Sequence, residues 1–303
     1  MTERILVTGA SGFIGHHLCR QLVAGGHSVT GTCHAHPNKL PDGVKGLTAD
    51  LTDPAAVQRL IATVQPAVVF HLASCVQGAR SRELVRPTFL ANLASTVYLL
   101  EALAEQGCKR FVVTGSLEEP EQVHDAPSSP YAAAKVAASA YARMFHALYA
   151  LPTVVARVFM VYGPGQRDQH KLIPYVINSL LRGESPHMGS GTRPVDWIYV
   201  VDVVQGLVRL AEHPAAIGQT VDIGSGQTAT IRHVAERIAS LMDAAAGLQF
   251  EPAADRPLEQ VRVADVERTA ALIDWRPTTA LDEGLRSVID WQRRLQAPTT
   301  GTP

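Results

Sequence analysis

The chain has 303 residues and is 46% apolar, which supports a large core in one extended α/β unit or in two domains sharing a cleft and argues against general disorder. A formal net charge of −1, built from scattered residues, offers no broad basic surface, so a small molecule is a better partner than nucleic acid. No apolar run approaches the ~18 residues needed to span a bilayer, and Glu3-Arg4 leads directly into an apolar strand, so a cytoplasmic protein without a membrane partner is expected.

Ile5-Leu6-Val7 reads as a buried parallel strand, and Phe13, Ile14, Leu18 and Leu22 then recur at helical spacing. Gly9, Ser11, Gly12 and Gly15 therefore occupy a strand-to-helix turn. Gly9 permits the tight turn, Gly12 lets the backbone approach a pyrophosphate, and Gly15 allows the helix to pack closely on the strand. Unpaired N–H groups at the helix start favour phosphates there. Ser28–Thr32 reads as a second strand, followed by a polar stretch from His34 to Asp42. Further strands are expected at Ala67–Leu72, Phe111–Thr114 and Thr153–Arg157, separated by helices at about Ala55–Val64, Thr88–Gln106 and Tyr131–Tyr149. Such alternation predicts an α/β fold whose parallel sheet is covered on both faces.

Beyond Tyr162 the pattern changes. Gly163-Pro164-Gly165 breaks the chain, and short helices such as Leu172–Arg182 and Ile231–Asp243 alternate with Pro- and Gly-containing loops. Val221-Asp222-Ile223 is expected to return to the main sheet, so the lobes interleave. The expected division assigns residues 1–162 with 196–222 to a dinucleotide-binding domain and 163–195 with 223–295 to a substrate lobe, with 296–303 as a mobile tail. Cys19, Cys33, Cys75 and Cys108 lack metal-ligand or redox spacing. His34 and His36 have no third ligand nearby, and no metal is expected.

The chemistry concentrates in the middle of the chain. Tyr131 and Lys135 are four residues apart, which places both on one helix face. An adjacent ammonium, with the positive nicotinamide of an oxidised cofactor, would favour the phenolate and let Tyr131 exchange a proton with a hydroxyl or ketone. Ser116 follows a strand at the carboxyl edge of the expected sheet, where its hydroxyl would share the reacting oxygen with Tyr131.

The glycine turn, His71-Leu72-Ala73-Ser74, Ser116, Tyr131-x-x-x-Lys135 and Arg157-Val158-Phe159-Met160-Val161-Tyr162-Gly163-Pro164-Gly165-Gln166 occur in that order. Together with Asp196–Val203 and Arg256-Pro257, this set resembles the extended short-chain dehydrogenase/reductase family of nucleotide-sugar epimerases, dehydratases and ketoreductases. The resemblance implies a Rossmann-type doubly wound parallel sheet with a smaller, interleaved C-terminal substrate-binding lobe. It implies Ser116, Tyr131 and Lys135 as the catalytic triad, and Gly9, Ser11, Gly12, Phe13, Ile14 and Gly15 around the pyrophosphate. Asp50 and Leu51 would meet the adenine, and Leu72, Ala73 and Ser74 the nicotinamide ribose. Phe159 and Val161 would line the cofactor site, while Ser74, Ser116 and Met160 would face the substrate. Lys135 would also bind the ribose. Hydride would pass between the nicotinamide and a sugar carbon.

Departures from the family pattern narrow the expectation. Where NAD-preferring relatives carry an acid after the second strand, this chain has Cys33 and then His34. His34 and Lys39 would attract a 2′-phosphate, so NADP is preferred and NAD is the alternative. The 4,6-dehydratases place Asp-Glu after the catalytic hydroxyl residue; here Leu117-Glu118 follows Ser116, leaving Glu118 as a catalytic candidate and pointing toward 4-keto-6-deoxy-sugar reductases. The usual Arg before the Asp-Phe-x-Tyr-Val motif is Val195, so Arg193 and Arg256 become the candidate diphosphate ligands. The expectation is reduction of a nucleotide-linked keto-sugar with Tyr131 as acid. Alternatives are a sugar 4-epimerase with tightly held NAD and a non-catalytic dinucleotide sensor. Relatives pair the two long helices across a twofold axis, implying a homodimer through a four-helix bundle, a pairing suited by Ala137, Ala138, Tyr141, Phe145 and Leu148.

Overall fold

A computed structural model describes residues 2–33, 40–122, 124–252, 258 and 261–296. In chain order the strands are β1 (Arg4–Thr8), β2 (Ser28–Cys33), β3 (Lys45–Thr48), β4 (Val68–His71), β5 (Arg110–Ser116) and β6 (Thr153–Val158). They continue with β7 (Met160–Tyr162), β8 (His187–Met188), β9 (Pro194–Tyr199), β10 (Thr220–Ile223), β11 (Thr228–Thr230) and β12 (Gln249–Phe250). Among the described residues, seven form a parallel sheet in the order β10-β6-β5-β4-β1-β2-β3. The chain runs outward from β1 to β3, then crosses to β4 and proceeds the other way. The crevice at the carboxyl ends of β1 and β4 is consequently the switch point where ligands bind in such sheets.

Strand alternation feeds two cores. Ile5 and Val7 of β1, with Val68, Phe70 and Val112, pack beneath helices α1 (Phe13–Ala24) and, later in the chain, Val200–Glu212. Leu6, Val69, Phe111 and Val113 point to the other face. There they meet α2 (Pro54–Val64), which precedes the one-turn α3 (Val85–Thr88), and α4 (Ser95–Gln106) and α5 (Pro130–Tyr149), which follow it. The expected helix Thr88–Gln106 is thus the end of a longer run, with a π-turn over Phe89–Ala94 joining α3 to α4.

Strand β3 escaped the sequence reading because Lys45-Gly46-Leu47-Thr48 is an edge strand, mostly exposed, with one large apolar side chain and therefore little periodic signal. The return of Val221–Ile223 to the main sheet holds, through β10 alongside β6.

A third core joins Tyr162 with α6 (Leu172–Leu181), α8 (Ile231–Leu241) and α10 (Leu281–Gln296). The helix Val200–Glu212 is α7, and α9 spans Val266–Ile273. Strand β9 does not enter the main sheet; it pairs with β7 and β11 in a small sheet of its own. Buried Asp196 of β9 accepts the N–H groups of Ser225 (2.7 Å), Gly226 (3.0 Å) and Ala264 (3.0 Å). Asp202, also buried, accepts those of Thr278 and Thr279, both at 3.1 Å. Both aspartates of the Asp196–Val203 motif therefore tie late loops to the fold. Gln296, expected to begin the tail, closes α10, and residues 297–303 lie outside the described residues. Among the described residues no helix is long and apolar enough to cross a membrane.

Candidate active site

The turn after β1 has no room for side chains. Gly9 has φ +69°, and a Cβ there would lie 2.7 Å from the Ala73 nitrogen just beyond β4. A Cβ on Gly15 would lie 2.2 Å from the Gly9 carbonyl oxygen. Gly12 is the N-cap of α1 and supplies no side-chain cap, so the first-turn N–H groups are directed to whatever enters the crevice. Opposite the turn, Asn92 in the π-turn receives the Ser74 hydroxyl (3.1 Å) and the Cys75 N–H (2.7 Å) on its Oδ1 and donates to the Cys75 carbonyl (3.2 Å). The extra residue of a π-turn places this amide under the β4 exit. Sequence periodicity could not show that displacement.

These segments enclose a cleft of about 820 Å³. Along it lie Gly9, Ser11, Gly12, Phe13, Ile14, Gly15, Cys33, Asp50, Leu51, Leu72, Ala73, Ser74, Phe159 and Val161, with Ser116, Glu118, Tyr131, Lys135 and Met160. Arg193 stands apart in an adjoining cavity of about 790 Å³, which shares Glu118, Met160, Val161, Gln166 and Lys171 with the first. His34, His36, Lys39 and Arg256 lie outside the described residues. The sequence reading missed Gln166, Arg167 and Lys171, which reach the cleft on the loop after β7. A contact between His17 Nε2 and the Pro164 carbonyl (2.8 Å) pins that loop to α1. Gly163-Pro164-Gly165 signalled a break, but only the packing shows where the broken chain goes.

Ser116 closes β5, while Tyr131 and Lys135 project from α5, whose start is set by Ser129 and Pro130. The Ser129 hydroxyl accepts the Ala132 N–H (3.1 Å) as N-cap. Lys135 Nζ donates to the carbonyl (2.7 Å) and hydroxyl (3.1 Å) oxygens of Thr114 and lies 5.9 Å from the centre of the Tyr131 ring. Burial lowers the Lys135 pKa to about 8, against the opposing charge of Glu119. The Glu118 N–H donates to Ser116 Oγ (3.2 Å), and Ser129 donates weakly to Glu118 (3.4 Å).

The phenolate is expected beside an oxidised nicotinamide, and the protein's own groups oppose it. Burial raises the Tyr131 pKa well above the ordinary phenol range; a hydrogen bond with Ser116 opposes this, and the charges of Glu118 and Glu119 add to it. Lys135 directs two of its N–H groups to Thr114, so an anion at Tyr131 would need further positive charge beside it. Beneath the site, His71 is buried between Thr8 (Nδ1 to Oγ1, 2.7 Å) and Thr96 (Nε2 to Oγ1, 3.0 Å). Burial, then the Lys135 charge, lowers its pKa to about 3. It is a neutral strut.

The sequence matches the NAD dependent epimerase/dehydratase family over residues 5–224. The chain belongs to that family. It is 33% identical to the UDP-glucose 4-epimerase of Mycolicibacterium smegmatis, over 96% of this chain and 98% of that one. Its structure resembles the UDP-glucose 4-epimerase of Thermotoga maritima, solved with UDP-glucose, at a TM-score of 0.88 and 25% identity, covering 96% of this chain and 99% of that one. The Thermus thermophilus UDP-glucose 4-epimerase, solved with NAD, gives a TM-score of 0.85 and 28% identity, with coverage of 96% and 99%. As in other members of the epimerase/dehydratase family, the seven-stranded parallel sheet and its flanking helices form a Rossmann-like unit. The chain is an enzyme of nucleotide-sugar chemistry. The epimerase alternative fits these comparisons, which give no specific support to 4-keto-sugar reduction or to a preference for NADP.

Proposed function

We propose that this enzyme is a nucleotide-sugar 4-epimerase that holds NAD in the cleft along β1 and β4 and the sugar in the adjoining cavity. The observation that carries this reading is the junction of two cavities of similar size at Glu118, Met160 and Val161, with Ser116, Tyr131 and Lys135 lining the first beside it. The cleft fits a dinucleotide: Gly9 and Gly15 let the turn pack tightly on its own backbone and on the β4 exit, and the start of α1, whose N-cap Gly12 has no side chain, would face the pyrophosphate. Asp50 and Leu51 would meet the adenine, and Ser74 and Lys135 the nicotinamide ribose. The bound nicotinamide supplies reversible hydride transfer.

The protein's own part is proton handling and orientation. Tyr131 moves a proton at the sugar 4-oxygen, and Ser116 hydrogen-bonds the same oxygen. Buried Lys135 supplies positive charge beside the phenol. Arg80, Lys171 and Arg193 line the second cavity, and guanidinium and ammonium groups suit a diphosphate. The reading divides the molecule into a dinucleotide half and a substrate lobe, and it includes a homodimer.

Incubation with UDP-glucose and NAD, followed by proton NMR, tests it. UDP-galactose should accumulate with no net change in cofactor absorbance. Stoichiometric oxidation of NADPH by a UDP- or dTDP-4-keto-sugar, without epimerisation, would replace this reading with the ketoreductase one. Cys33 favours that second reading, because a buried, uncharged side chain at the end of β2 does not repel a 2′-phosphate.

A further inference from the structure

Of the two adjacent glutamates after Ser116, the second is the buried one, with 4% of its surface exposed. Its Oε1 accepts the Ser116 N–H at 2.8 Å and the Ser139 hydroxyl at 3.1 Å. In return the Glu119 N–H donates to the Ser116 carbonyl at 3.1 Å. A Cβ on Gly115 would lie 2.5 Å from the same carboxylate oxygen, so the glycine before the serine is what leaves room for the acid. From the other side, Arg262 donates to the Glu119 carbonyl at 2.7 Å.

Ser139 follows Lys135 by four residues along α5, as Lys135 follows Tyr131, so all three share one helix face. Glu119 thus joins the main chain of the serine to the helix face that carries the tyrosine and lysine. We propose that Glu119 is a positioning residue of the catalytic site: its carboxylate locks the end of β5 to α5 and holds Ser116 in register with Tyr131 and Lys135. The role of these three groups at a sugar oxygen rests on the function proposed above; the lock itself does not.

Charged and titratable groups surround this carboxylate from several elements. Lys135 and Tyr131 approach from α5, Arg157 from β6, paired with Asp222 of β10 at 2.9 Å, and Arg262 from the segment before α9. Glu118 and Glu121 flank it in the chain, and Arg262 also approaches Glu121 at 3.8 Å. Burial raises the Glu119 pKa, while the Ser116 N–H, Arg157, Ser139 and Lys135 all act to lower it. In turn, the Glu119 charge holds up the proton affinity of Lys135.

Three variants test the inference: Glu119→Gln, which keeps an acceptor oxygen but no charge, Glu119→Leu, which keeps neither, and Ser139→Ala. Amide hydrogen exchange at residues 115–117 needs no substrate. It should quicken roughly 10-fold in Glu119→Leu, less in Ser139→Ala, and return near the parent rate in Glu119→Gln. With only five lysines in the chain, 13C-lysine NMR can follow Lys135, assigned with Lys135→Arg. Its midpoint, about 8 in the parent, should fall by about one unit in Glu119→Gln. In turnover, Glu119→Leu should lose roughly 10- to 100-fold in kcat with little change in KM, and Glu119→Gln should recover most of it at mildly acidic pH. Unchanged exchange in Glu119→Leu, or an unmoved Lys135 midpoint in Glu119→Gln, overturns the inference. If neither UDP-glucose nor a keto-sugar turns over, the first two measurements still decide it.

Discussion

Tyr131 sits in a cleft that penalises its anion. Taking a proton from the sugar 4-hydroxyl, as epimerisation first requires, would therefore depend on positive charge from Lys135 and an oxidised nicotinamide. The phenol so formed would return the proton when hydride comes back. Tyr131→Phe removes the hydroxyl and leaves the ring that packs in the cleft. Its turnover should fall by at least ~100-fold, while calorimetric titration should find cofactor affinity within a few-fold of the parent; near-normal turnover would remove Tyr131 from the mechanism. His71 makes a different prediction, because it acts on stability. Its folded pKa of about 3 lies below the unfolded value of 6.5, so between these limits the unfolded chain binds the extra proton. The stabilisation from neutral His71 is complete above pH 6.5 and is lost as pH falls toward 3, at up to about 1.4 kcal/mol per pH unit. Urea unfolding across that window should show a shallower pH slope in His71→Gln than in the parent. At this scale the order of Ser116, Tyr131 and Lys135 was legible because spacing along a strand and a helix encodes it. The resemblance singled out Glu118, and the part of Glu119 was not legible, since the two are equivalent charges in a sequence and only the fold buries the second.

Elements meet closely at the turn after β1, which packs on the β4 exit and on the start of α1. Gly15 illustrates the constraint: in a sequence it permits helix packing, and in the structure its missing Cβ leaves the Gly9 carbonyl in place. Gly15→Ala should therefore destabilise the fold by about 1–3 kcal/mol, as overpacking does, and weaken dinucleotide binding together with it. Thermal melts with and without NAD would show both; parent-like melting and affinity would contradict the close approach. Helix α5 was predictable to within a residue because Ser129-Pro130 caps it and the apolar spacing continues to Tyr149. The π-turn at Phe89–Ala94 was hidden, because one widened turn barely alters the periodicity of a long apolar helix.

For the molecule as a whole, the outer surface of the helical layer decides assembly. Ala138 and Phe145 are buried within the protomer, but Tyr141, Leu148 and Tyr149 of α5 remain exposed, as do Val85 and Phe89 of the neighbouring helix. An apolar face of this kind needs a cover. A second copy placed across a twofold axis would bury the same residues on both sides. Light scattering at micromolar concentration should give twice the 32.5 kDa chain mass, and Leu148→Lys should shift the mass toward one chain. A parent protein that scatters as a single chain would leave this face to some other cover.

Local pattern carried the half of the fold built on the main sheet. Apolar strands, glycine spacing and helix caps are short-range signals, and they specified the parallel sheet, its glycine turn and the Tyr131–Lys135 face. Long-range packing decided the rest. It placed β9 in a separate sheet, set Asp196 and Asp202 to fastening loops, brought Lys171 to both cavities, and buried Glu119 against Ser116. Those outcomes depend on which distant segments meet. A polar side chain is recruited by whatever unpaired N–H or charge lies beside it after folding, and nothing in its local neighbourhood records that partner.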